Sequence, residues 1–113
     1  MATPGETRDQ LMRDLRDART TLMSPDWLTM IREAPKAQKQ AAADNLMKVQ
    51  LALLDLENQA LATFRDDLIA NESAIAKSTA SMQKALTKLE STAKVLKSVT
   101  DFLGTVARVV TLF

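Results

Sequence analysis

The chain has 113 residues, 46% of them hydrophobic, with a formal net charge of +1 and with no Cys, His or Tyr. This length supports one hydrophobic core, and the lack of Cys excludes disulfides and thiolate metal sites. We therefore expect a single domain spanning residues 1–113. Because Ser-His-Asp and Cys-His catalysis both need a His, we also expect that the protein is not an enzyme and has no catalytic, cofactor-binding or metal-binding residues.

Charge is distributed unevenly along the chain. Residues 1–72 carry nine Lys or Arg against twelve Asp or Glu, whereas residues 73–113 carry six against two. One interpretation is that the two parts attract each other within the fold, and the other is that the basic part contacts an anionic surface. Nucleic-acid binding is not expected, because it would need more positive charge and exposed stacking side chains.

The N-terminus lacks the apolar stretch of a secretory signal. No part of the chain approaches the roughly 18 consecutive apolar residues that a membrane-spanning helix needs. We therefore expect a cytoplasmic protein, with export by a route that does not read such a signal left open.

Two helix start signals stand near the N-terminus. Thr-Pro-Gly-Glu at residues 3–6 combines an N-cap, a Pro in the first turn and the Glu of a capping box, and Ser-Pro-Asp at residues 24–26 repeats the cap and the Pro. They predict helices at about 4–23 and 25–33. The second helix carries Trp27, which is interpreted either as a core anchor or as a binding hot spot.

The first helix is predicted to bury one stripe and to expose the rest of its circumference. Its apolar stripe follows helical spacing and consists of Leu11, Leu15, Ala18 and Leu22. Arg and Asp alternate around the remainder, which predicts a solvated face made of Arg8, Asp9, Arg13, Asp14, Arg16 and Asp17.

From residue 36 onward the chain has no Pro and a single Gly, and a large apolar residue recurs at every seventh position. This ladder consists of Met47, Leu54, Leu61, Leu68, Ile75, Met82, Leu89, Leu96, Leu103 and Val110. Seven residues are close to two helical turns, so the ladder predicts long helices with one buried stripe.

The weakest helical stretch is residues 71–81, which are rich in Asn, Ser and Thr. A turn at Asn71 gives an all-α helical bundle in which the two shorter N-terminal helices pack on a long helical hairpin with arms at about 36–70 and 74–113. The alternative is one very long helix from about 36 to 113 in an oligomeric coiled coil.

Residues 95–113 form a clean amphipathic pattern. The candidate interaction residues are Trp27 and the residues on the apolar face of this segment: Val99, Phe102, Leu103, Val106, Val109, Val110 and Phe113. Candidate contacts to an anionic surface are Lys84, Lys88, Lys94, Lys97 and Arg108. The apolar face either completes the bundle core or serves as an exchangeable helix that enters a partner's groove or a lipid interface.

The sequence therefore predicts a non-enzymatic protein that acts by helix-mediated interaction or assembly. Its expected partner is a protein or a second copy of the chain, and neither a small-molecule substrate nor a cofactor is expected. The alternative is a membrane-active protein whose helix 95–113 inserts into an anionic lipid interface.

Overall fold

The computed structural model describes residues 3–110, and every regular element in that range is an α-helix. The predicted all-α class is thus confirmed. The helices are α1 (Pro4–Leu22), α2 (Pro25–Arg32), α3 (Lys36–Asn58), α4 (Leu61–Ala70), α5 (Glu72–Lys88) and α6 (Thr92–Val106).

The first two helices begin where their capping signals predict. Thr3 forms a complete capping box with Glu6: its hydroxyl accepts from the Glu6 amide at 3.1 Å, and its own amide donates to the Glu6 carboxylate at 3.2 Å. The Ser24 hydroxyl accepts from the Trp27 amide at 3.3 Å at the start of α2. These local contacts satisfy amides that have no partner inside the helix, so nearby residues suffice to set both starts.

The first predicted arm, residues 36–70, is divided in two. Helix α3 ends at Asn58, Gln59 is extended with ψ 153°, and α4 begins after Ala60, which supplies no side-chain cap. Helix α1 packs against both α3 and α4. A straight helix would carry the apolar side chains of residues 61–70 past α1, so we attribute the break to tertiary packing.

The second predicted arm, residues 74–113, is also divided. Leu89 takes the left-handed conformation with φ 46°, and the Ser91 hydroxyl caps α6 by accepting from the Lys94 amide at 3.2 Å. The short connection lets α5 and α6 pack against each other as a hairpin. The tight reversal of the chain therefore lies at residues 89–91.

The turn predicted at Asn71 takes a different form. Helix α4 does end one residue before it, but Asn71 has φ −111° instead of a left-handed value, and its side-chain amide donates to the Asp67 carbonyl at 2.8 Å. Within residues 36–106, the alternative of a single very long helix is not observed, because the chain is interrupted three times.

The left-handed Leu89 supports a stability prediction. We expect Leu89→Gly to be more stable than Leu89→Ala by about 1 kcal/mol, because Gly adopts positive φ without the steric cost of a Cβ. Both variants remove the same packing, so urea denaturation of the pair isolates the backbone effect. An Ala variant as stable as the Gly variant would contradict the conformation at residue 89.

The core lies where α1, α3, α5 and α6 meet. Helix α1 packs on α3, α4 and α5, and α6 packs on α3 and α5. A partly buried polar contact joins α3 to α6, since the side-chain amide of buried Asn45 donates to the hydroxyl of exposed Thr100 at 3.3 Å. The Cα radius of gyration is 13.9 Å, close to the roughly 13 Å typical of a folded chain of this length.

The heptad ladder is wrong in α3. Met47 and Leu54 are 50% and 55% exposed, while the buried residues of this helix are Ala42, Asn45, Val49, Ala52, Leu53 and Leu56. Five of those six, all except Leu53, occupy two positions of a seven-residue repeat that differ from the position of the ladder. Two of the five are Ala, whose small side chains allow α1 and α6 to approach α3 closely. From Leu68 onward the ladder is buried except at half-buried Leu89.

Candidate functional site

The predicted apolar interaction face is buried inside this chain. Trp27 is 1% exposed, and the other members within residues 3–110 are also buried: Val99, Phe102, Leu103, Val106, Val109 and Val110. Phe113 lies outside the described residues. The use of this face for binding stays a prediction, and it would require α6 to leave its contacts with α3 and α5.

Helix α6 is shorter than the predicted helix. It ends at Val106, and residues 107–109 form turns in which the Arg108 amide donates to the Thr105 carbonyl at 3.0 Å. The β-branched residues Val106, Val109 and Val110 have low helix propensity. Val109 and Val110 are buried although they lie outside the helix, so burial of their side chains does not need a continuous helix.

Four of the five predicted cationic residues line one open cleft between α5 and α6. Lys84 and Lys88 extend from α5, and Lys94 and Lys97 extend from α6. The cleft has a volume of about 450 Å³, and its remaining lining includes small side chains such as Ser81 and Ser98. We call this feature the lysine cleft. Arg108, which is exposed beyond the end of α6, does not line it.

The lysine cleft contains a single lining carboxylate, Glu90. Its oxygens lie 2.8 Å from Lys94 Nζ and 3.8 Å from Lys88 Nζ. The hydrogen bond from Lys94 and the positive charges nearby lower the pKa of Glu90, and the same hydrogen bond raises the pKa of Lys94. Lys97 is paired with a second carboxylate, Asp101, at 2.9 Å. The four lysines thus face two carboxylates, which leaves a net positive surface.

No large apolar side chain is exposed on α5 or α6 within the part of the chain that the structure describes. The exposed large apolar residues lie on other segments and are Met23, Leu28, Met47, Leu54 and Ile69. The surface around the lysine cleft is thus polar, and its attraction for other molecules would be chiefly electrostatic.

Two further findings concern residues 3–110. None of the helices there combines the length and the apolar composition needed to cross a membrane. Nor do Asp and Glu side chains in that range gather in a group of three able to hold a metal ion.

Sequence reasoning missed a buried carboxyl in α1. The Arg/Asp alternation predicts a solvated Asp14, yet this residue is 1% exposed and its Oδ1 accepts from the side-chain amides of Gln10 and Gln83, each at 3.0 Å. Its position was the available signal, because Asp14 stands three residues after Leu11 and four before Ala18, on the same stripe.

Burial raises the pKa of the Asp14 carboxyl, and hydrogen bonds from Gln10 and Thr79 oppose this shift. A carboxyl with a raised pKa in the folded state binds its proton more tightly there than in the unfolded chain. Its contribution to stability therefore falls as pH rises from the usual aspartate value of about 3.9 through the raised value.

We expect Asp14→Asn to be more stable than the unchanged protein at neutral pH, by about 1 kcal/mol, because the substitution removes a buried charge and keeps the shape of the side chain. This difference should shrink as pH falls toward 4. Urea denaturation of both proteins across that range measures it, and a difference that grows on acidification would contradict the raised pKa.

Comparison with known proteins finds no matching family model, no matching curated protein and no matching solved structure. The functional interpretation accordingly rests on the geometry of the chain itself.

Proposed function

We propose that this chain is a non-enzymatic, helix-mediated interaction protein that binds an acidic segment of a partner protein in the lysine cleft. The observation that carries the proposal is the convergence of Lys84, Lys88, Lys94 and Lys97 from two helices on one concave surface. Concave, like-charged surfaces concentrate ligands of opposite charge and speed their association.

An acidic peptide suits the lysine cleft better than a bilayer does. Interfacial insertion needs an exposed apolar face next to the cations, and the apolar face of α6 is buried. Glu90 is paired with Lys88 and Lys94, and Asp101 with Lys97, so an occupant has to compete for separate ammonium groups with several carboxylates. A polypeptide with spaced Asp or Glu side chains meets that requirement.

The proposal is tested by fluorescence anisotropy with a labelled oligo-glutamate peptide. We expect Lys94→Glu/Lys97→Glu to weaken binding at least about tenfold, because both cations are exposed and can exchange their pairing with Glu90 and Asp101 for the carboxylates of the peptide. The matched control is Lys36→Glu/Lys39→Glu, which makes the same change in net charge on exposed residues of α3. Equal losses in both variants would show only a net-charge effect and overturn the proposal.

Removal of Glu90 provides a test in the opposite direction. We expect Glu90→Gln to strengthen peptide binding, since the carboxylate competes for Lys88 and Lys94. Raising the salt concentration should weaken binding by all forms of the protein, because the groups are exposed to solvent. Unchanged or weaker binding by the Gln variant would contradict the proposed role of the lysine cleft.

A membrane-active function is the second candidate, and one observation favours it. Helix α6 carries both the buried apolar face and the exposed Lys94 and Lys97, so its release from the bundle would present cations and an apolar stripe together. Flotation with anionic and neutral liposomes, at low and high salt, tests this function. Salt-sensitive binding to anionic vesicles alone would support it, and no flotation under any condition would contradict it.

A further inference from the structure

Helix α3 carries an apolar face that is uncovered by the other helices of residues 3–110. Met47 and Leu54 are each about half exposed, and Leu51 between them is half-buried. Spacings of four and three residues place these side chains on one face of the helix, away from its buried residues. We call this uncovered face the α3 stripe. Apolar side chains exposed together, unlike those scattered singly, are typical of an interaction surface.

A shallow groove of about 290 Å³ lies at the C-terminal end of the α3 stripe. Leu51 and Leu54 form its apolar part, and its polar part includes Asp55 and Asn58. The groove has room for a large apolar side chain. Unbranched Met side chains adapt to irregular spaces of this kind, so Met47 of another copy is a suitable occupant.

The charges of α3 oppose its own helix dipole. Its first turn holds no acidic residue and its last turn no basic one, whereas a helix dipole favours acidic residues at the start and basic residues at the end. Residues 36–48 carry three Lys against one Asp, and residues 49–58 carry two acidic residues and no basic one. The two halves of the helix therefore have opposite net charges. A second α3 brings unlike halves together when it runs antiparallel and like halves together when it runs parallel.

We propose that the α3 stripe binds a second copy of this chain, with the two α3 helices packed antiparallel across a two-fold axis near residues 50–51. Met47 of each copy then lies against Leu54 of the other and enters the groove there. Leu51 lies close to its own counterpart beside the axis. The contact is closed, because each copy uses the same surface.

Charged side chains on one flank of the α3 stripe fit the same arrangement. A two-fold axis places the same flank of both helices side by side, so Lys48 of each copy lies near Asp55 of the other. Lys48 pairs with Asp44 at 2.9 Å within one copy. Asp55 accepts a hydrogen bond from the Gln59 side chain and forms no ion pair within residues 3–110. The second copy therefore supplies Asp55 with a cation.

The dimer is expected to be weak and to consist of chains that fold by themselves. Each copy has its own core, to which the exposed Met47 and Leu54 do not belong. A contact along one helix is small beside the roughly 1,600 Å² of a standard protein interface, so association should depend on concentration. Dimerisation goes beyond the proposed function and does not involve the lysine cleft, which α5 and α6 form.

Sedimentation velocity over protein concentrations up to the millimolar range tests the proposal. We expect the unchanged chain to pass from monomer to dimer, and Leu54→Asp to weaken association at least about tenfold because it places a charge in an apolar contact. The matched control is Ile69→Asp, at an equally exposed apolar residue of α4, which should associate as the unchanged chain does. A monomer at every concentration, or equal weakening by both variants, would overturn the proposal.

Disulfide trapping tests the antiparallel direction without an introduced charge. The chain has no Cys, so a single-Cys variant has one reactive thiol. We expect an oxidised mixture of Met47→Cys and Leu54→Cys to form mainly the mixed disulfide dimer, because these positions face each other across the axis. Mass spectrometry distinguishes the products. Homodimeric products that together equal or exceed the mixed one, as parallel helices or random collision would give, would overturn the proposal.

Charge reversal tests the pairing on the flank. We expect Lys48→Asp to weaken association about fivefold, because it brings like charges together at two symmetry-related places. Lys48→Asp/Asp55→Lys should restore association, since the exchange returns opposite charges to the same places. A double variant as weak as the single one would contradict the proposed arrangement.

Discussion

Replacement of Val106 by Asp is expected to destabilise the protein strongly. Val106 is fully buried in the last turn of α6, next to a face that packs on α3 and α5. An aspartate there either buries a charge with no partner or forces α6 away from the core, and the expected loss is at least about 4 kcal/mol. That loss is a large share of the stability typical of a small domain.

The effect of Val106→Asp is measured by thermal melting followed by circular dichroism. Ala107→Asp introduces the same charge at the next residue, which is exposed, and it should shift the melting temperature only slightly. If Val106→Asp melted like the unchanged protein while losing liposome binding, the apolar face would be presented to membranes instead of forming core.

The second large effect is expected in α3, where two apolar residues five positions apart have opposite environments. Val49 is fully buried and Leu54 is 55% exposed. We expect Val49→Asp to cost at least about 4 kcal/mol, for the reason given for Val106, and Leu54→Asp to change stability by less than about 1 kcal/mol. Urea denaturation of the two variants measures the contrast.

The same pair of variants separates the bundle from an oligomeric coiled coil. In the coiled coil, Leu54 belongs to the ladder and packs against other chains, so Leu54→Asp would dissociate the assembly and destabilise it strongly. A large destabilisation by Leu54→Asp, accompanied by a change in the sedimentation coefficient, would therefore contradict the exposed position of Leu54 in this fold.

The success of sequence reasoning at the helix starts has a local cause. The caps at Thr3 and Ser24 act over three residues, so the residues that make them are adjacent in the sequence and can be recognised there. Ser91 caps α6 in the same way, but the continuous ladder through residues 82–96 favours an unbroken helix and therefore predicts no start there. The break at residues 59–60 has no side-chain cap and left no comparable signal.

The candidate sites show the same division. Lys84 and Lys88 are four residues apart, which is about one helical turn, so their position on one face of the helix could be predicted. Their meeting with Lys94 and Lys97 depended on the reversal at residues 89–91, which the sequence did not reveal. The environment of Asp14 likewise depends on Gln83, which lies 69 residues away in the chain.

The helical class, both N-terminal helix starts and the amphipathic C-terminal segment can be read from the amino-acid sequence. These features follow from capping, propensity and periodicity, which act within a few residues. Long-range packing sets which face of α3 is buried, where the long helical region breaks and which polar groups meet. Those outcomes depend on the close packing of helices distant in sequence, where the small side chains of Ala42 and Ala52 allow an approach that the larger Met47 and Leu54 would prevent.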